Sequence, residues 1–146
     1  MLQPVKLADI EPDLAEFHAT IGVVVAYGKI ISAAMLELFP KGFINVHSSL
    51  LPRYRGAAPI EAALLNGDSE TGVTLMQLEP GMDTGPTYDQ PSLQLGGTEN
   101  RETLYERLAE LGAELLCMRL PAILAGQIVP IPQDESEATS VRRISK

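Results

Sequence analysis

Asn45 and His47 stand two residues apart at the end of the apolar run FINVH (43–47). On a strand, that spacing sends both side chains to one face. Asparagine offers an amide N–H, and histidine a ring N–H that can carry charge near neutral pH. Two such donors converging on one point are what a developing oxyanion requires. The pair has a plainer reading too, an asparagine opening a turn and a strand-end histidine, and spacing alone favours it. Ser48 and Ser49 beside His47 raise serine hydrolysis, but a GxSxG elbow is absent and neighbouring strand residues face opposite ways. His18 is the other histidine, which leaves too few ligands for a metal site. GMDTGP (81–86) lacks the lysine of a phosphate loop, and its Asp83, taken alone, is a turn residue. Arg53 and Arg55 read as a solvated basic face or, if functional, as partners for a carboxylate or phosphate.

The elements that must position these groups follow the α/β pattern. Ile10, Leu14 and Phe17 have helical spacing, so residues 11–19 are expected as a short amphipathic helix. IGVVVAY (21–27) is a continuous β-branched run, the mark of a strand buried on both faces. Ser32 can cap a helix with Met35, Leu36 and Phe39 inside, stopped by Pro40 and Gly42. Strand, helix and strand in so few residues imply a parallel pair with a right-handed crossover. Pro59 suits the first turn of a further helix that Asn66-Gly67 ends. TGVTLMQLE (71–79) alternates as a strand, and Pro91 makes TYDQPSLQL an edge or irregular one. Leu104, Leu108, Leu111 and Leu115 mark one face of a long helix starting near Asn100, which Pro121 should kink or restart. IVPIP is a short extended piece, and QDESEATSVRRISK (133–146) is a polar tail with little to hold it down. At the front, QPVKL is a weak extended piece followed by a helix, where a doubly wound sheet normally opens with a strand and a glycine-rich turn; no GxGxxG occurs.

Composition bounds the function. The chain has 146 residues, 45% of them hydrophobic and 21% charged, the range of one globular domain. A net charge of −8 makes it a poor stand-alone nucleic-acid binder. The single cysteine, Cys117, forms no internal disulfide, so a reducing compartment is the simple reading. MLQPVKLADIEP has the character of neither a signal nor a transit peptide, and IGVVVAYG is too short to span a bilayer. A cytoplasmic protein without membrane partners is therefore expected.

Beyond spacing, residues 45–86, NVHSSLLPRYRGAAPIEAALLNGDSETGVTLMQLEPGMDTGP, resemble the core of the methionyl-tRNA formyltransferases. The wider folate-dependent formyltransferase superfamily carries Asn-x-His, then Ser-Leu-Leu-Pro, then an Asp in a glycine-rich loop. Here these are Asn45 and His47, Ser49-Leu50-Leu51-Pro52, and Asp83 between Gly81 and Gly85. RYRGAAPI (53–60) and PQDESEAT (132–139) resemble the tRNA-directed branch, whose tail tends to run on with a Tyr and a Pro-Lys; Ser140 and Arg142-Arg143 stand in those places.

The resemblance implies a partial Rossmann-like formyltransferase fold, a mixed, mostly parallel sheet with flanking helices. It implies that residues 1–134 are catalytic domain without its opening βα units, and that 135–146 lead toward a separate C-terminal domain. The implied reaction moves a formyl group from 10-formyltetrahydrofolate to the α-amine of initiator methionyl-tRNA, without a metal. Asn45 and His47 would stabilise the oxyanion. Asp83 would favour the imidazolium and take the amine's proton. Ser49, Leu50, Leu51 and Pro52 would form a stiff wall for the folate, with Gly81, Met82 and Gly85 closing over the pterin. Self-association is expected through an exposed sheet edge. Other readings are a different folate-dependent formyltransferase or hydrolase, or a folate-binding remnant without catalysis.

Overall fold

The computed structural model describes residue 4 and residues 6–28 and 31–143; Gln3 and Val5 of QPVKL and the last three residues of the tail lie outside them. The core is a four-stranded sheet in the order β1 (Gly22–Val25), β2 (Phe43–His47), β5 (Thr74–Gln77), β6 (Thr87–Asp89). Two small ribbons flank it: β3 (Arg55–Gly56) with β8 (Ser140–Val141), and β4 (Glu70–Gly72) with β7 (Ser92–Gln94). Among the described residues four α-helices, α1 (Glu11–Glu16), α2 (Ala33–Leu36), α3 (Pro59–Leu65) and α4 (Arg101–Leu124), and two short 3-10 turns, Leu7–Ile10 and Glu135–Glu137, accompany the strands. The α/β class and the mixed sheet with flanking helices stand as expected. Within the main sheet, β1 and β2 are the parallel pair, and β5 and β6 join antiparallel.

The strand β2 organises the interior because its two faces serve two cores. Ile44 and Val46 face a core built with Val73, Leu75, Leu104, Leu108, Leu115 and Ile123. Phe43, on the Asn45–His47 face, packs with Met35 and Phe39. A strand enclosed on both faces carries apolar residues on both, here Phe43 on one and Ile44 and Val46 on the other. Its polar residues arrive only at the carboxyl end, where the sheet opens into a cleft.

Local signals place several elements where expected. Ser32 Oγ accepts from Met35 N at 3.2 Å and starts α2. Asn100 and Thr103 form a reciprocal capping box at the start of α4. Pro59 occupies the first turn of α3, and Gly67, at φ +65°, follows its end.

Other expectations need correction. The first helix ends at Glu16, its C-cap Phe17 is 66% exposed, and His18 turns the chain at φ +48°. Strand β1 is not buried on both faces: Val23 is 41% and Val25 58% exposed. An apolar strand is covered only where another layer lies over it. Among the described residues a layer covers the Val24 side, and Ala26, at φ +48°, ends the strand early. The run 71–79 breaks after Gly72, because β4 pairs with β7 while β5 pairs with β2. Pro121 neither restarts nor ends α4, which runs to Leu124. It sits in the last turn, where the missing N–H frees only the Cys117 carbonyl on the exposed side. No helix among the described residues is long and apolar enough to cross a membrane.

The largest correction concerns the tail. Residues 131–141 are strapped across the molecule. Ile131 bridges Thr87, Thr139 N donates to Pro52 O, Arg55 N donates to Thr139 O, and β8 lies parallel to β3. A polar sequence has no hydrophobic signature, so its hydrogen-bonding partners some 80 residues away leave no trace in the tail itself.

Candidate active site

A cleft of about 380 Å³ opens at the carboxyl ends of β1 and β2, where open α/β sheets place ligands. Asn45, His47 and Asp83 all line it. The strand brings the first two to one face, and the turn after β5 brings the third. Asp83 has φ +54°, a left-handed conformation that aspartate tolerates better than most residues. Its Oδ2 accepts from Gly56 N at 2.8 Å and lies 3.6 Å from His47 Nδ1. Its Oδ1 has no hydrogen bond among the described residues.

The opposite ring nitrogen, His47 Nε2, is 3.0 Å from Tyr54 O. A carbonyl can only accept, so Nε2 carries the proton and donates. The edge that His47 turns to Asp83 is therefore its Nδ1 edge. Asn45 Nδ2 has only a weak contact, 4.0 Å to Met76 Sδ. A nearly buried amide with its donors this lightly engaged is available to a ligand oxygen. The side chains of His47 and Asp83 are only 7% and 16% exposed, so their interaction is little screened by water.

Of the residues expected to contact a folate, Gly81 and Met82 line the cleft, with Met82 57% exposed. Gly85 does not line it. A Cβ there would collide with the Gln77 carbonyl, so this glycine allows the Asp83 turn to close against β5. Ser49, Leu50, Leu51 and Pro52 do not line the cleft either. Ser49 is fully buried, and its Oγ donates to Arg53 O at 2.6 Å. Leu51 is buried and donates its N–H to Thr74 Oγ1, which itself donates to Ser49 O. This turn is bolted to β5 behind His47. It positions the end of β2 rather than forming the cleft wall.

The wall facing the trio comes instead from Val24, Ala26, Tyr27, Gly28, Ile31, Leu36, Leu78 and Glu79. Sequence reading passed over the end of β1 because nothing there has reactive chemistry. Its adjacency to the Asn-x-His strand was the available signal. The opposite arm is formed by Ala57, Pro59, Ile60 and Tyr105, with the Arg101–Glu61 ion pair at the rim, 2.6 Å.

The two arginines of RYRG separate. Arg53 remains half-exposed and bonds Asp68. Arg55 is no solvated basic face: its side chain is 7% exposed and grips Glu135 through two nitrogens, at 2.7 and 2.9 Å. Hydrogen bonding to Glu135 raises the Arg55 guanidinium further above its ordinary value. The same bond holds the Glu135 carboxyl below the usual carboxylate range. No group of three His, Cys, Asp or Glu side chains among the described residues is placed to hold a metal ion.

Comparisons with known proteins agree on one family. The formyl transferase family profile matches residues 3–120. A methionyl-tRNA formyltransferase of Nitratidesulfovibrio vulgaris is 48% identical over 147 aligned positions, 99% of this chain and 44% of that protein. One from Dictyoglomus turgidum is 52% identical over 124, covering 85% and 40%. The chain thus spans a little under half the length of these relatives. Among solved structures, the formyltransferase PseJ of Anoxybacillus kamchatkensis, in complex with tetrahydrofolate and a UDP-linked formamido sugar, superposes with a TM-score of 0.78 at 27% identity. That match covers 97% of this chain and 70% of PseJ.

Proposed function

The chain belongs to the formyl transferase family, and on that premise we propose that it carries the reaction centre for moving a formyl group from 10-formyltetrahydrofolate to the α-amine of methionyl-tRNA. The observation that carries this reading is the convergence of a lightly bonded Asn45 amide, His47 Nδ1 and the open Asp83 oxygen in one cleft. The methionyl acceptor is favoured over an amino sugar because relatives of that name are 45–52% identical to this chain, against 27% for the sugar enzyme. Residues 1–134 are read as part of the catalytic domain, onto which 135–141 are strapped. On that reading the protein works in the cytoplasm.

The cleft fits a flat, partly apolar ligand. Its volume lies within the ordinary range for small-molecule sites. Val24, Ala26, Ile31, Leu36 and Leu78 offer an apolar slot, with Gly81 and Met82 above it. The folate supplies an activated formyl carbon. When an amine adds to that carbon, charge develops on the formyl oxygen. The Asn45 amide donates to it, and His47 in its imidazolium form donates from Nδ1. Asp83 Oδ1 is the acceptor for the proton the amine loses, directly or through one water; collapse of the adduct then breaks the bond between the formyl carbon and the folate nitrogen, and that proton passes to the departing nitrogen. Gly56 N–H keeps Oδ2 occupied, which leaves Oδ1 as the oxygen open to accept. Ser49 to Pro52 hold this end of β2 in register from behind.

The test is formyl transfer from 10-formyltetrahydrofolate to three acceptors: methionyl-tRNA, glycinamide ribonucleotide and a nucleotide-linked amino sugar. It is run with the chain alone and with the chain mixed with the amino-terminal segment of a relative. Formyl-methionyl-tRNA as the dominant product supports the reading; preference for either other acceptor overturns it.

The exposed valines of β1 carry a second expectation. No strand among the described residues pairs with its outer edge. An unpaired apolar edge recruits other strands. Sedimentation is expected to show concentration-dependent association, weakened by Val25→Lys. A stable monomer across the concentration range counts against this.

A further inference from the structure

We infer that Gln133 is a positioning residue for the reaction, a clamp that fixes Asp83 from outside the cleft; the inference rests on the functional reading given above. Gln133 enters from the strap that crosses the back of the site. Its Nε2 donates to two carbonyls of the Asp83 turn, Asp83 O at 2.8 Å and Gly85 O at 2.7 Å. Its Oε1 accepts twice from Arg55, from Nε at 3.0 Å and from Nη2 at 2.8 Å. An amide has two donor hydrogens and two acceptor lone pairs, and here all four are used.

That full use matters because the turn it holds is strained. Asp83 is left-handed, and Gly81 at φ +151° is in a region open to glycine alone. Such a turn keeps its shape only when its surroundings over-determine it. The carboxylate direction follows the backbone, so whatever fixes the two carbonyls also aims Oδ1 and Oδ2. The far side of the same network reaches His47. Arg55 is locked to Glu135, its neighbour Gly56 donates to Asp83 Oδ2, and its neighbour Tyr54 accepts from His47 Nε2. One half-buried amide therefore ties together the two backbone segments that set the 3.6 Å spacing of His47 and Asp83.

Glutamate at 133 separates the clamp from simple attachment of the strap. A carboxylate still accepts from Arg55 but has no hydrogen for either carbonyl. The experiment is amide hydrogen exchange in the 146-residue chain, comparing wild type, Gln133→Ala and Gln133→Glu. Gly56 N–H reports the Asp83 bond, and Ala57 N–H, bonded to Val141 O, reports the strap. Both variants are expected to speed Gly56 exchange by about tenfold or more while Ala57 changes by less than about twofold. In the transfer assay, kcat is expected to fall by about tenfold to a hundredfold with KM nearly unchanged, the pattern of a misaimed group. Joint loss of protection at Gly56 and Ala57, wild-type behaviour of Gln133→Glu, or altered exchange with kcat unmoved would each overturn the proposal. An Asp83→Asn control keeps the two readings apart. If it leaves transfer untouched, or no chain turns over, the functional reading fails and the exchange data still decide whether the clamp exists.

Discussion

Alanine at position 47 is expected to reduce kcat for formyl transfer by about a hundredfold to a thousandfold, the usual cost of losing one donor from a site that stabilises developing negative charge. The loss should fall on kcat and leave KM close to unchanged, because the charge exists only on the way to the transition state. The substitution removes more than a donor. It strips Asp83 of its neighbour at 3.6 Å and leaves Tyr54 O without its 3.0 Å partner. Asn45→Ala removes the other donor and is expected to match it, since the amide makes no other strong bond. Steady-state kinetics with methionyl-tRNA, alongside a thermal midpoint for each variant, separates chemistry from folding. A His47→Ala protein that keeps most of its turnover would show that the oxyanion is stabilised elsewhere.

Leu75→Ala is expected to be the most damaging single change to stability, at about 2–5 kcal/mol. Leu75 has no exposed surface, sits at the centre of β5 between β2 and β6, and packs into the core that α4 closes with Leu104 and Leu108. Neighbours drawn from a sheet and a long helix cannot collapse far into the space left behind. Domains of this kind hold only about 5–15 kcal/mol in total, so the variant should lose a large part of its margin. The denaturant midpoint measures this directly. Leu65→Ala is the control: Leu65 is 78% exposed, and its loss should stay within about 0.5 kcal/mol. Equal shifts for the two leucines would mean that the core is not where the structure puts it.

These two predictions draw on different kinds of information. The Asn45–His47 spacing and the limits of β2 were legible in the sequence because both depend on strand periodicity and on neighbouring residues. So were the cap at Ser32, the start of α4 near Asn100 and the start of α3 at Pro59. The identity of the trio needed the resemblance as well, because Asp83 lies 36 residues from His47 in the chain and two polar residues at a strand end are common. That Ser49–Pro52, expected as a folate wall, do not line the cleft was not legible for a similar reason. A stiff turn next to a reactive strand is compatible with either side of the sheet, and only the bonds of Ser49 and Leu51 to β5 and the neighbouring loop put it behind. Arg55 looked solvated because its partners, Gln133 and Glu135, lie in the polar run 133–137, which has no apolar residue to announce that it packs.

By itself, the sequence determined the α/β class, the strand that presents an amide and an imidazole together, and the family whose chemistry uses them. Each of these is written in spacing, apolar runs or contiguous motif, which survive without knowing what the chain meets in space. Tertiary structure alone decided which edge of His47 faces Asp83 and why Asp83 can hold a left-handed turn. It also decided that a polar tail, through Gln133 and Glu135, forms the back of the site. Those outcomes depend on hydrogen bonds between residues 7 to 80 positions apart. A hydrogen-bonding side chain states its capacity in the sequence, while its partner is chosen only when the backbone brings the two together.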